Sequence, residues 1–211
     1  MALKTMAVIG ASKGIGLSTL LVALERGWKV NALAHKTEIS INNEHLKITN
    51  GSILDPSKVR EVVQSAQVVV ITVGHSISFR KVTLFSEGTK VVIDTLLGWN
   101  PSAYVIVVTG IGAGESAGHG GFFYDKIIKP IFLRRIFQDK NRQEILIRSS
   151  NLDWTIVRPG FLTDGPLTSV YRILEKLDDI KAGKISRHNC GDFIVREAES
   201  KFWKRKAVLI G

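Results

Sequence analysis

The apolar residues of this chain change their spacing several times, and each change marks an element. Residues 6–9, Met-Ala-Val-Ile, form a short apolar run of buried-strand length. From Gly14 to Arg26 the spacing turns helical, with Leu17, Leu20, Leu21 and Leu24 on one face. Gly27 follows, the residue type that most readily takes left-handed backbone at a helix end. Residues 29–34 and 46–49 read as the second and third strands. Residues 56–65 read as a helix, with Pro56 in its first turn and Asp55 as its cap. Residues 68–73 are the most apolar run, as expected for a strand covered on both faces.

The second half repeats this order. A helix is predicted over 84–97 and a strand over 104–109. Residues 110–121 are glycine-rich and fit neither period, and residues 122–137 are apolar and basic but interrupted by Pro130. A helix over 139–149 leads to a strand over 154–157, which runs into Arg158-Pro159-Gly160. Ser186 is the expected cap of a last helix near 189–198, before a final strand over 207–210. The β-α-β order predicts one doubly wound α/β domain of Rossmann type over residues 1–211, with a parallel sheet and helices on both faces. Segments at about 75–82, 110–130 and 160–172 are expected on the substrate side of that sheet.

The first strand and first helix are joined by Gly10-Ala11-Ser12-Lys13-Gly14-Ile15-Gly16. Glycines at such a junction let the backbone turn sharply and approach a pyrophosphate, and the helix N-terminus offers free N–H groups to it. The spacing is G-x-x-x-G-x-G, which is neither G-x-G-x-x-G nor a P-loop. It resembles the cofactor loop of the short-chain dehydrogenase/reductase superfamily. Residues 152–160, Leu-Asp-Trp-Thr-Ile-Val-Arg-Pro-Gly, resemble a segment of its atypical branch. That branch includes NAD(P)H-binding, NmrA-like proteins and the flavin reductase/biliverdin reductase B group.

The resemblance implies a nicotinamide dinucleotide and further cofactor positions. These are Gly51, Ser52 and Ile53 beside the adenine, Thr72, Val73 and Gly74 beside the ribose, and Pro159, Gly160, Phe161 and Leu162 along the nicotinamide. An enzyme selecting NAD usually carries an acid after the second strand. Here His35 and Lys36 stand there instead, with Lys13 in the glycine loop, a set suited to the 2′-phosphate of NADPH.

The superfamily's usual catalyst is a serine with Tyr-x-x-x-Lys. Thr109 takes the serine-like place and Lys140 the lysine-like place, but the residue four before Lys140 is Ile136, which cannot donate a proton. Three readings stand open. NADPH passes hydride to a flat or conjugated acceptor, such as a flavin or quinone, that needs little acid help. Alternatively Tyr124 or His119 replaces the missing acid. Or the domain binds NADP(H) without turnover, as a redox sensor or an assembly protein. Lys140 is also expected near the nicotinamide ribose, and Arg158 is expected to brace its loop.

Charge changes this picture only slightly. Lys and Arg number 29 against 19 Asp and Glu, a formal net charge of +10. Such a balance favours anionic partners, among them a phosphate-rich cofactor or an acidic small molecule. No nucleic-acid motif accompanies the cations, so a small-molecule partner is expected and a homo-oligomer is compatible. Cys190 is the single cysteine, which excludes an internal disulfide and a thiolate zinc site; it is read as a small buried residue. No metal-ligand spacing, secretory signal or membrane-length apolar run is read, and a cytoplasmic location is expected.

Overall fold

A computed structural model describes residues 4–35, 37–177 and 181–211. The first three strands, β1 (Thr5–Ile9), β2 (Lys29–Ala34) and β3 (Leu46–Asn50), are joined by α1 (Gly14–Glu25) and an irregular link. Next come α2 (Pro56–Val63), β4 (Val68–Ile71), α3 (Leu84–Trp99) and β5 (Tyr104–Val108). After the glycine-rich segment come α4 (Arg134–Ser149), β6 (Asp153–Pro159), β7 (Phe161–Thr163), β8 (Ile173–Leu174) and β9 (Lys184–Ser186). The chain closes with α5 (Arg187–Ser200) and β10 (Ala207–Ile210).

The main sheet has the order β3-β2-β1-β4-β5-β6-β10-β8. Its neighbours pair in parallel except at one edge, where β8 runs antiparallel to β10. A second, two-stranded parallel sheet joins β7 to β9. The parallel sheet expected from the sequence is present, with β8 as one short antiparallel edge strand and the β7–β9 pair added beside it. Strands of two or three residues carry no alternation for a pattern to show.

Each central strand is apolar throughout because it feeds two cores. Met6 and Val8 of β1 face the layer of α1 and α5, while Ala7 and Ile9 face the layer of α2, α3 and α4. Gly191 of α5 lies so close to α1 that a Cβ there would sit 2.7 Å from the Ser18 carbonyl carbon. The helix ends follow local rules. The Gly27 N–H donates to Leu24 O and the Trp28 N–H to Ala23 O, closing α1 with Gly27 at φ +79°. The Asp55 carboxylate accepts from the Ser57 and Lys58 N–H groups, and Ser186 Oγ accepts from the Asn189 N–H.

Several boundaries differ from expectation. Helix α4 begins at Arg134 rather than near 139, and residues before it form a wide π-helical segment, Tyr124–Leu133. Pro130 lies inside that segment. Proline lacks an N–H and crowds the preceding turn of an α-helix, whereas i→i+5 winding gives it a wider turn. Strands β4 and β5 end at Ile71 and Val108, so Thr72 and Thr109 lie just beyond them.

Candidate cofactor and active site

A cleft of about 1020 Å³ opens at the carboxyl ends of the strands, above the junction of β1 and β4. Helices leave the sheet on opposite faces there, the place where open α/β sheets bind ligands. The sequence-predicted residues Gly10, Ser12, Lys13, Gly14 and Ile15 line it from the glycine loop. His35 lines it after β2, and Gly51, Ser52 and Ile53 after β3. Thr72, Val73 and Gly74 follow β4, and Thr109 follows β5. Tyr124, Lys140, Pro159, Gly160, Phe161 and Leu162 complete the predicted set along the wall. Lys36 lies outside the described residues.

Gly16 does not line the cleft; it sits behind it. A Cβ on Gly16 would come within 2.1 Å of Gly10 O and 2.6 Å of Thr72 Oγ1. Gly10 adopts φ +90°, and a Cβ there would meet Val73 N at 2.9 Å. The Thr72 hydroxyl donates to Ile9 O at 3.0 Å, tying the end of β4 to the end of β1. At Gly14, by contrast, nothing but the Arg187 side chain comes within 4 Å. The loop is thus packed tightly beneath and open above, a shape that brings backbone N–H groups close to a phosphate.

Arg187, the first residue of α5, was not foreseen. Its Nε lies 3.9 Å from the Cβ position of Gly14, and it too lines the cleft. Its Nη1 is paired with the exposed Asp164 at 2.5 Å. No local signal ties Arg187 to the glycine loop; the packing of α5 on α1 does so. His75 and Ser76, in the segment expected on the substrate side, also line the cleft, as do Thr37 and Phe137, which were not foreseen.

At the other end of the cleft, α4 presents Lys140. Its ammonium donates to Thr109 O and lies 4.9 Å from the centroid of the Phe85 ring. Burial lowers the Lys140 pKa to about 8, with Glu144 and Asp139 opposing the shift. Asp139 is fully buried and accepts from Phe85 N at 2.8 Å, and also from the Ser86 hydroxyl. It thereby caps α3 from α4 and fixes the turn that carries Lys140. Ile136, the residue in the tyrosine place, packs instead with Val82 and Phe85.

Thr109 is buried, and its hydroxyl donates to Glu144 Oε1 at 2.8 Å. Arg158, 2% exposed, donates to the same carboxylate through Nε at 3.0 Å and Nη2 at 2.5 Å, and to Glu115. Arg158 therefore ties the loop after β5 to α4, in keeping with a bracing role. The Tyr124 hydroxyl donates to Ile111 O at 3.3 Å, and its ring meets Phe161 edge-on at 5.2 Å. Burial pushes the Tyr124 phenol up to about 12, which makes it a poor acid at neutral pH. Cys190 is buried and its thiol is raised to about 12, so it is held as a thiol.

A second cavity of about 630 Å³ shares Phe137 with the cleft. Phe122 and Pro130 wall it, with the cations Lys126, Lys129 and Arg134. No helix among the described residues is long and apolar enough to cross a membrane.

Comparison with known proteins agrees with this geometry. The profile of the NAD(P)H-binding family matches residues 10–201. A short-chain dehydrogenase/reductase from Veillonella parvula DSM 2008, solved in complex with NADP, is similar at TM-score 0.82 and 18% identity, over 100% of this chain and 95% of that one. ChuY, an anaerobillin reductase from Escherichia coli O157:H7, is similar at TM-score 0.79 and 20% identity, over 98% and 96% of the two chains. A protein from Streptococcus pneumoniae TIGR4, provisionally assigned as an NADH-flavin reductase, gives TM-score 0.76 and 20% identity over 98% of each chain. The fold is shared from end to end, and the family profile starts on the glycine loop itself: this chain belongs to the NAD(P)H-binding family.

Proposed function

We propose that the protein is an NADPH-dependent reductase that transfers hydride to a flat or conjugated acceptor. The observation that carries this reading is one continuous cleft running from the glycine loop past Thr109 to Lys140. Its residues suit the dinucleotide: an open loop at Gly14 for the pyrophosphate, with Arg187 above it, and Lys13 and His35 at the 2′-phosphate end. The NADP complex of the Veillonella neighbour and the reductase activity of ChuY support the reading.

Bound nicotinamide supplies the hydride. The protein's own residues orient the acceptor and handle the proton. Hydride addition leaves the acceptor one proton short, and Lys140 is the group proposed to supply it. An ordinary lysine is too weak an acid for this, but a pKa of about 8 lies near working pH. Thr109 and Tyr124 are proposed to position the reacting parts, with their hydroxyls on Glu144 and Ile111 O. The cations of the adjoining cavity suit an acceptor that carries acidic groups.

Turnover of NADPH with menadione or a free flavin tests this mechanism. The rate is expected to fall as pH rises through about 8, because the ammonium is then lost. Lys140→Met should lower kcat about 100-fold and abolish that limb of the profile, with the NADPH Kd little changed. A limb at pH 8 that survives in the variant rules Lys140 out as the donor.

Titration tests the cofactor assignment separately. NADPH should bind at least about tenfold more tightly than NADH, as a charge-assisted phosphate contact implies. In the same titration Arg187→Gln should weaken NADPH about tenfold, while Asp164→Asn, which frees Arg187, should tighten it. Equal affinities for NADPH and NADH would refute the role given to His35 and Lys13.

A non-catalytic sensing module is the second reading, favoured by Ile136 in the tyrosine place. It requires cofactor binding, no turnover with any acceptor, and a protein partner whose capture depends on NADP(H).

A further inference from the structure

The π-helical segment does more than accommodate Pro130. With i→i+5 winding, about 4.4 residues make a turn, so each residue advances about 80°. Phe122 and Phe123 lie on the α-helical turn just before the segment, and with the wider winding that follows they fall with Ile127, Ile131 and Phe132 within an arc about 120° wide. An α-helix, at about 100° per residue, would scatter the same five over about 260°. All five are exposed, with Phe122 at 77% and Phe123 at 63%. The opposite side turns inward. There Tyr124 meets the cleft, Lys129 donates to Gly112 O at 2.6 Å, and Leu133 packs on the Val82–Phe85–Ile136 cluster.

That cluster also anchors a second loop beside the wide segment. Val82 ends the stretch 77–81, which exposes Ile77 and Phe79, the latter at 72%. The Arg142 side chain donates to Val82 O at 2.8 Å and holds this stretch against α4. Cations accompany both apolar groups: Arg80 and Lys81 on the loop, Lys126, Arg134 and Arg135 on and after the wide segment, all exposed. The one acid among these residues is Asp125, whose charge acts on Tyr124 and Lys129 at the inward side of the segment.

From this pairing of protruding apolar tips and outward cations we infer that the face formed by residues 77–81 and 122–135 docks on an anionic lipid surface. Interfacial binding segments combine these elements: large apolar side chains that enter the acyl boundary, and Lys and Arg that meet lipid phosphates. A second copy of the chain fits poorly, because a symmetric contact would set five cations against five. The docking is peripheral, and it does not depend on the reductase reading.

Co-sedimentation of the full chain with vesicles tests the inference. Vesicles of phosphatidylcholine with a quarter phosphatidylglycerol should retain the protein at least about tenfold better than pure phosphatidylcholine, and 0.5 M salt should reverse this. Phe122→Ser/Phe123→Ser and, separately, Lys81→Glu/Arg135→Glu should each weaken retention about tenfold or more. These side chains are exposed, so circular dichroism and Tm should stay as in the parent. Absence of retention on anionic vesicles would overturn the inference. So would equal retention by the parent and both variants. A dimer in sedimentation velocity that the Phe122→Ser/Phe123→Ser variant dissolves would also overturn it, in favour of self-association.

Discussion

Gly16→Ala is expected to abolish measurable NADPH binding and to lower Tm. The added methyl carbon would lie 2.1 Å from Gly10 O and 2.9 Å from Gly10 C, both backbone atoms. Backbone cannot swing aside as a side-chain tip can, so the glycine loop itself must move. Overpacking of this kind costs about 1–3 kcal/mol in stability. Binding suffers more, because a phosphate site made of backbone N–H groups tolerates little displacement. Gly27→Ala is the matching control. Gly27 has φ +79° and nothing within 4 Å of its Cβ position, so the variant meets conformational strain without a clash. It should lose about 1 kcal/mol and bind NADPH normally. Calorimetric titration and thermal melting of the two variants check the expectation. Full-affinity binding by the Gly16 variant would show that the loop is not the phosphate site.

Arg158→Met is expected to be the most destabilising single change away from the glycine loop. Glu144 is 3% exposed, and Arg158 makes two of its hydrogen bonds, at 3.0 and 2.5 Å. Removing the guanidinium leaves a buried carboxylate with the Thr109 hydroxyl at 2.8 Å and Arg148 at 4.0 Å. Breaking a buried pair from one side costs about 3–5 kcal/mol, whereas replacing both partners by apolar groups is often nearly neutral. Urea unfolding of Arg158→Met, Glu144→Met and the double variant should therefore show strong non-additivity, with the double variant more stable than Arg158→Met. Additive losses would mean that the two residues act independently. The loop after β5 depends on the same bonds, since Arg158 also holds Glu115. Turnover is thus expected to fall with stability in the single variants.

Local features of the chain were legible in the sequence because their causes are local. Apolar runs and helical spacing marked the central strands and most helices, and Asp55, Ser186 and Gly27 act at the termini where their chemistry suggested. The glycine loop was readable because tight turning and close approach both demand glycine at set positions. The strand-end segments of the cleft followed from topology, since every parallel strand delivers its carboxyl end to the same edge.

Tertiary structure alone decided what depends on residues far apart in the chain. Arg187 reaches Gly14 because α5 packs on α1 through Gly191, and no spacing encodes that approach. Asp139 holds the start of α3, and through it the position of Lys140, by bonds between helices. The missing tyrosine was evident from Ile136, but Lys140's altered acidity was not, because it arises from burial by the Phe85 region and the Thr109 loop. The apolar residues of 122–132 read only as part of an apolar and basic stretch interrupted by Pro130. Only the wider winding gathers them on one side, since a stripe depends on the pitch of the backbone as well as on the order of residues.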